Sequence, residues 1–177
     1  MLNIVLFEPE IPQNSGNIMR TCVATHTHLH FIKPLGFSLD EKAIKRSGVN
    51  YINNCEYTVY ENWNDFESKN PGVYYFYTRY GHKPHSDFDY TDEGNNNQNI
   101  YLVFGKESTG IDPHIMKGKL DYCARIPMTN KVRALNVSNS VAIVIYEALR
   151  QRNYEDLLRD EPEDEGHKGS RFIEDYE

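Results

Sequence analysis

Residues 125–152 read RIPMTNKVRALNVSNSVAIVIYEALRQR. The stretch opens on the turn Ile126-Pro127-Met128 and crosses a polar loop at 129–133. It then passes through Asn136-Val137-Ser138-Asn139 into an apolar run at 141–149. Asn and Ser favour helix starts, because their side chains accept from the first unpaired N–H groups. Glu147-Ala148-Leu149-Arg150-Gln151-Arg152 is rich in helix formers. Together these features predict a helix over 136–153. Val141-Ala142-Ile143-Val144-Ile145 is apolar on every face, so this helix needs cover all round. One side is expected against a sheet and the other against a second copy of the chain. The alternatives are burial within its own domain, or a strand with helix-like composition.

Upstream, strands and helices alternate. Leu2-Asn3-Ile4-Val5-Leu6-Phe7 is a short buried strand ended by Glu8-Pro9. Asn14-Ser15-Gly16-Asn17 offers cap-type residues to a helix over 18–25, whose first turns carry Arg20. Strands are expected at 29–32 and 57–60, and short helices at 40–46, ending near Gly48, and at 62–69. Pro71-Gly72 breaks the chain before Val73-Tyr74-Tyr75-Phe76-Tyr77-Thr78, a β-rich run expected inside the sheet. Residues 80–98 form a long polar loop, a length that marks function or mobility. A buried strand at 100–104 runs into Gly105-Lys106-Glu107-Ser108-Thr109-Gly110. A helix near 113–117 and a last strand at 122–126 follow. This alternation predicts an α/β fold: a mostly parallel sheet flanked by helices, in one domain over 1–154.

Composition narrows the function classes. The chain has 177 residues, 39% of them hydrophobic, which suits one globular domain with a real core. The early apolar run lacks a basic flank and meets Glu8 at once, so no secretory signal is expected. No stretch has the apolar length of a membrane helix. Cys22, Cys55 and Cys123 are scattered, which fits reduced thiols and disfavours a zinc site. The net charge is -7. Residues 155–177 hold ten of the 26 acidic residues and three of the 19 basic ones, leaving a neutral body with 16 of each. The acidic tail is expected to be solvated and mobile. A neutral body leaves room for a local basic face toward nucleic acid.

In open α/β sheets, ligands bind beyond the carboxyl ends of the strands. The loops after Tyr77, Phe104 and Ile126 are the candidates. Gly105 and Gly110 bracket a tight turn that is neither a Walker loop nor GxGxxG. Taken alone, that turn reads as a strand-to-helix connection. Arg20 reads either as a surface arginine or as an anion clamp, since guanidinium presents a fixed fork of donors. His26, His28 and His30 alternate without a carboxylate or cysteine partner, so they are expected mostly in solvent rather than on a metal.

Three separated stretches are specific when taken together. They are Asn14-x-Gly16-Asn17-x-x-Arg20, then LVFGKESTG at 102–110, then Ile126-Pro127-Met128 with RALNVSN at 133–139 and Tyr146-Glu147-Ala148. In this order they resemble the three motifs of the SPOUT superfamily of RNA ribose methyltransferases. The opening LNIVLFEPEIPQNSGNIMR is similar to that of the small tRNA wobble-position 2'-O-methyltransferases of the TrmL/YibK type. The resemblance covers about residues 1–154. It implies a sheet whose C-terminal part is threaded into a deep trefoil knot, where the bottom-up reading gives an unknotted sheet.

The resemblance also implies S-adenosylmethionine as cofactor, with no metal. The pocket would be built by Tyr77, Thr78, Gly105, Glu107, Gly110, Ile126, Met128, Ala134 and Leu135. It implies a cytoplasmic homodimer, with Tyr146 at or near the interface, acting on cytidine or uridine 34 in a tRNA anticodon stem-loop. Arg20 would reach the active site, Asn14 would position Arg20 or the ribose, and Ser138 and Asn139 would hold the third motif loop. Two alternatives stay open: ribosomal RNA as substrate, or a knotted RNA-binding dimer without catalysis. An arginine titrates above about pH 12 and is a poor base, so Arg20 is expected to clamp a phosphate and orient the 2'-OH. Many relatives carry a basic residue where this chain has Thr109, so Lys106 or Arg133 is expected to replace that RNA contact.

Overall fold

The computed structural model describes residues 1–39, 54–164, 166, 167 and 169. In chain order the elements are β1 (Leu2–Phe7), α1 (Pro12–Ala24), β2 (His28–Ile32), β3 (Tyr57–Tyr60), α2 (Trp63–Lys69), β4 (Val73–Tyr77) and β5 (Lys83–Pro84). They continue with β6 (Ile100–Phe104), α3 (Pro113–Met116), β7 (Cys123–Arg125) and α4 (Val137–Gln151). The seven strands form one sheet in the order β3-β2-β1-β6-β4-β7-β5, with every pairing parallel.

The apolar runs in β1 and β6 follow from this geometry. Both strands are buried at every position, as parallel strands covered on both faces must be. Alternate side chains enter opposite layers. Ile4, Leu6, Leu102 and Phe104 meet Ile18, Met19 and Cys22 of α1 and Val141, Val144, Ile145 and Ala148 of α4. On the other face, Val5, Phe7, Val103 and Phe76 pack with Trp63 and Phe66 of α2.

Three expectations change. The first helix begins at Pro12, not after residues 14–17, so Asn14, Ser15 and Gly16 are buried inside it. Proline fits the first helical turn because its missing N–H needs no partner there. Ile11 provides no side-chain cap. The segment 80–98 is no bare loop. It contains β5, a 3-10 turn at His85–Asp87, and the buried side chains of Phe88, Tyr90 and Asn95. Its sequence hides this because the apolar residues are few and spaced by acids. His30 is buried, not solvated: its ring bonds to Tyr60 Oη at 3.0 Å and Asn3 Oδ1 at 3.2 Å. Burial, with His28 nearby, lowers its pKa to about 3. The helix expected at 40–46, with Gly48, lies outside the described residues.

The final helix is capped as its sequence suggests: Asn136 Oδ1 accepts from the N–H groups of Ser138 at 2.9 Å and Asn139 at 3.4 Å. Its apolar run is not covered all round, since Ile143 and Tyr146 stay exposed. At its C-terminal end the helix is gripped by the 85–98 segment. Gln151 Nε2 donates to Phe88 O at 3.0 Å and Arg152 Nε to Tyr90 O at 2.7 Å, while Tyr90 N–H donates to Gln151 Oε1 at 2.9 Å. Leu157, beyond residue 154, is half-buried against the core, and Arg159 bonds to Asn153.

Candidate active site

Because all strands are parallel, their carboxyl ends share one edge of the sheet. The loops at 8–11, 78–82, 105–112 and 126–136 leave from that edge. Two of them are fastened by reciprocal acids. Glu107 Oε2 accepts from Glu10 N–H at 2.8 Å, and its Oε1 accepts from Ile11 N–H at 3.3 Å. Glu10 in return accepts from Ser108 N–H at 2.9 Å and Ser108 Oγ at 2.7 Å. The Ser108 bonds hold the Glu10 carboxyl below the usual carboxylate range. Glu8 and Lys106 pair at 2.6 Å alongside. Thus Glu107, reaching from another loop, holds the N–H groups of the two residues just before the first helix.

Asn14 extends this latch to the third motif. Its Nδ2 donates to Glu107 Oε1 at 2.8 Å, and its Oδ1 accepts from Asn136 Nδ2 at 2.9 Å. Asn136 caps the last helix with its other amide atom, which also accepts from Ser138 Oγ at 2.6 Å. One chain of polar bonds therefore joins Glu107, Asn14, Asn136 and Ser138. All of these except Asn136 are site residues expected from the motifs. Asn136 carries the cap signal, but nothing in its local sequence points across the molecule to Asn14.

The other expected residues fall into three places. The Tyr77 ring is buried, stacked on Phe104 with centroids 4.7 Å apart, and its hydroxyl donates to Tyr90 Oη at 3.0 Å. Thr78 turns the chain, with its N–H on Ala124 O at 3.0 Å. Gly105 is closely packed: a Cβ there would lie 2.2 Å from the Gly110 carbonyl carbon. Gly110 adopts φ +79°, a left-handed conformation that favours glycine. Ile126 packs partly on the core, and Met128 lines a cleft of ≈ 280 Å³ with residues 81–84, Arg125 and Pro127. Ala134 and Leu135 are exposed on the loop before the last helix, as is Asn139 at its start. Arg20 is exposed on α1, and Tyr146 on α4. Lys106, one of the two expected RNA contacts, is taken up by Glu8; Arg133 is exposed. Among the described residues no group of three or more His, Cys, Asp or Glu side chains could hold a metal ion.

A parallel sheet with its motif loops tied together at the carboxyl edge defines an α/β enzyme of the kind that binds its ligand at the strand ends. The profile of the SpoU rRNA Methylase family matches residues 1–146, and the chain belongs to that family. It is 40% identical over 163 residues to the tRNA (cytidine(34)-2'-O)-methyltransferase of Escherichia coli K12, covering 90% of this chain and all of that one. A solved chain from Bacillus anthracis, described as a candidate RNA methyltransferase, is 47% identical with a TM-score of 0.83, covering 90% of this chain and 99% of that one. A structure described as giving insight into 2'-OH methylation of C/U34 on tRNA is 32% identical with a TM-score of 0.78, covering 88% and 98%.

Proposed function

We propose that the chain transfers a methyl group from S-adenosylmethionine to the ribose 2'-oxygen of nucleotide 34, cytidine or uridine, in tRNA. The similarity to the E. coli wobble-position enzyme over its whole length carries this reading. The chemistry is in-line attack of the 2'-oxygen on the sulfonium methyl: a C–O bond forms, the C–S bond breaks, and the 2'-OH proton leaves to phosphate or water. When bound, the cofactor supplies the electrophilic methyl. Gly105 and Gly110 fit such a ligand in that no side chain fills their turn: a Cβ at Gly105 would meet backbone, and Gly110 carries none. In this reading the pocket is lined by Thr78, Gly105, Gly110, Ile126, Met128, Ala134 and Leu135, with Tyr77 and Glu107 holding its walls.

Arg20 clamps the phosphate beside the target ribose and orients the 2'-OH. The test is Arg20→Ala. Methyl transfer to tRNA is expected to be lost while calorimetry gives unchanged cofactor affinity. Loss of both together would make Arg20 a structural residue. Mapping ribose methylation at position 34 in cells lacking the protein separates tRNA from ribosomal RNA as substrate.

The finer architecture belongs to the same reading. The C-terminal part threads as a trefoil knot. Support comes from β7, which lies between β4 and its sequence neighbour β5, and from the 85–98 segment bonded across the end of α4. The working unit is a cytoplasmic homodimer. Its support is the exposed pair Ile143 and Tyr146, beside a cleft of ≈ 520 Å³ bordered by Ala24, His26, Tyr154 and Leu157. Charge placed at Ile143 is expected to yield monomers in sedimentation; an unchanged dimer would move the interface elsewhere.

A further inference from the structure

The neutral body resolves into a sharply uneven surface. Residues 78–84 and 125–133 hold Arg79, Lys83, Arg125, Lys131 and Arg133, and no acidic residue. None of these five is ion-paired with a described carboxylate. Six basic residues elsewhere are ion-paired: Lys33 with Glu61, Lys69 with Asp65, Lys106 with Glu8, Lys119 with Glu67, Arg150 with Glu147 and Arg152 with Asp92. The two segments adjoin. Lys83 pairs with Ala124 and Pro84 with Arg125 in the β5–β7 ladder. The Gly81 turn presses on β7 so closely that a Cβ would lie 2.4 Å from the Ala124 carbonyl carbon. Arg79 and Tyr80, just before that turn, are both exposed.

Arg79 and Tyr80 are ordered as a unit. The Arg79 guanidinium lies over the Tyr80 ring, 4.6 Å from its centroid, and donates to the Tyr80 hydroxyl. Tyr80 N–H is held by Thr78 Oγ1 at 3.3 Å, and the Arg79 carbonyl accepts from the Arg125 guanidinium. Tyr80 remains 64% exposed, and no other described ring packs against it. A flat π-face backed by a cation, on adjoining segments whose only charges are basic, matches single-stranded nucleic acid. Bases stack on such platforms while the charges follow the phosphates. A small anion would need neither the ring nor the spread of charge.

We propose that this surface receives the RNA. An unpaired base stacks on the free face of Tyr80, and Lys83, Lys131 and Arg133 contact phosphates on either side of it. The inference rests on the RNA-methyltransferase reading and replaces the contact that Thr109 and the paired Lys106 leave unfilled.

The test uses the full chain, a synthetic anticodon stem-loop RNA, a blunt RNA duplex of equal length, and heparin as a polyanion without bases. Tyr80→Ala is expected to weaken stem-loop binding about tenfold and to erase the preference for stem-loop over duplex, in the range one base stack contributes. Tyr80→Phe keeps both. Lys83→Gln with Lys131→Gln is expected to flatten the plot of log affinity against log salt by about 1.4, near 0.7 for each lost phosphate contact. Melting temperature and calorimetry with S-adenosylmethionine monitor fold and cofactor site, and both are expected unchanged. Two outcomes overturn the proposal. One is stem-loop affinity and salt slope unchanged in the variants. The other is wild-type binding to heparin or duplex equal to the stem-loop with Tyr80→Ala inert, which would leave a general polyanion patch. A failure of the function reading looks different: wild-type protein binds the stem-loop through this patch yet transfers no methyl group to it.

Discussion

Asn14 and Glu107 are 93 residues apart in sequence and 2.8 Å apart in space. Each was legible as a motif residue, but their bond was not, because nothing local encodes a partner so distant. The sequence suggested cofactor and ribose roles; the geometry gives both side chains a fastening role as well. Removing the Glu107 carboxylate strands the Asn14 amide and two backbone donors, a loss of about 2 kcal/mol. Glu107→Ala and Asn14→Ala are therefore expected to be non-additive in denaturant titrations. The double variant should cost less than the two singles together, because both remove the same bond. Strict additivity would show that the two residues act apart. His30 departs from its expected solvation for a related reason: alternating histidines on a strand send every second ring to the same face, and β2 lies between two paired strands. Its pKa falls from about 6.5 in the unfolded chain to about 3 in the fold. The unfolded chain thus binds the extra proton between those values. Stability from a neutral His30 is whole above pH 6.5 and falls as pH drops toward 3, by about 1.4 kcal/mol per pH unit. Stability measured at pH 7 and pH 5 should differ less in His30→Gln than in the parent; equal differences would mean that other groups drive the acid loss.

Among the elements, strands read best. Unbroken apolar runs such as IVLF and IYLVF have one physical use in a chain of this size, as covered parallel strands. Helix starts read worst. Asn14-Ser15-Gly16-Asn17 has cap chemistry, yet Pro12 sets the first turn and Glu107 holds the N–H groups of Glu10 and Ile11 just before it. The last helix shows what composition can and cannot say. Its length and cap were legible, but its apolar run did not reveal which side faces the core. Ile145 is completely buried, whereas Ile143 and Tyr146 are 39% and 45% exposed. Sequence reasoning alone would place Ile145 equally well at a subunit interface. Ile145→Ala is instead expected to cost about 2–5 kcal/mol of fold stability. The comparison with Ile143→Ala, measured by chemical denaturation at one protein concentration, checks this. A larger loss at Ile143 would invert the assignment of faces. Gly105→Ala is expected to displace the second motif loop and weaken cofactor binding, since the new methyl group meets backbone within 2.2–2.6 Å. Unchanged affinity by calorimetry would remove that loop from the pocket.

At the scale of the whole molecule, the α/β class was legible from the alternation of elements, and the strand order was not. Periodicity says that a segment is a strand; it does not say which neighbours it takes. The order β3-β2-β1-β6-β4-β7-β5 contains two insertions, β6 between β1 and β4 and β7 between β4 and β5. The patch formed by 78–84 and 125–133 depends on the second insertion, which is why the balanced charge of the body gave no sign of it. These insertions also set a timetable. A ribosome delivers β1 to β5 first, and those strands leave β5 without its partner β7 and can build only two separate fragments of sheet: β1 with β2 and β3, and β4 alone. β6 is the splice that joins them, pairing with β1 on one edge and β4 on the other. Until residue 104 has left the exit tunnel, the emerging chain carries unpaired strand edges on both fragments, the surfaces most open to wrong partners. The protein is thus a late assembler: its sheet fragments join only at β6, and the ligand loops at 105–112 and 126–136 follow that strand out.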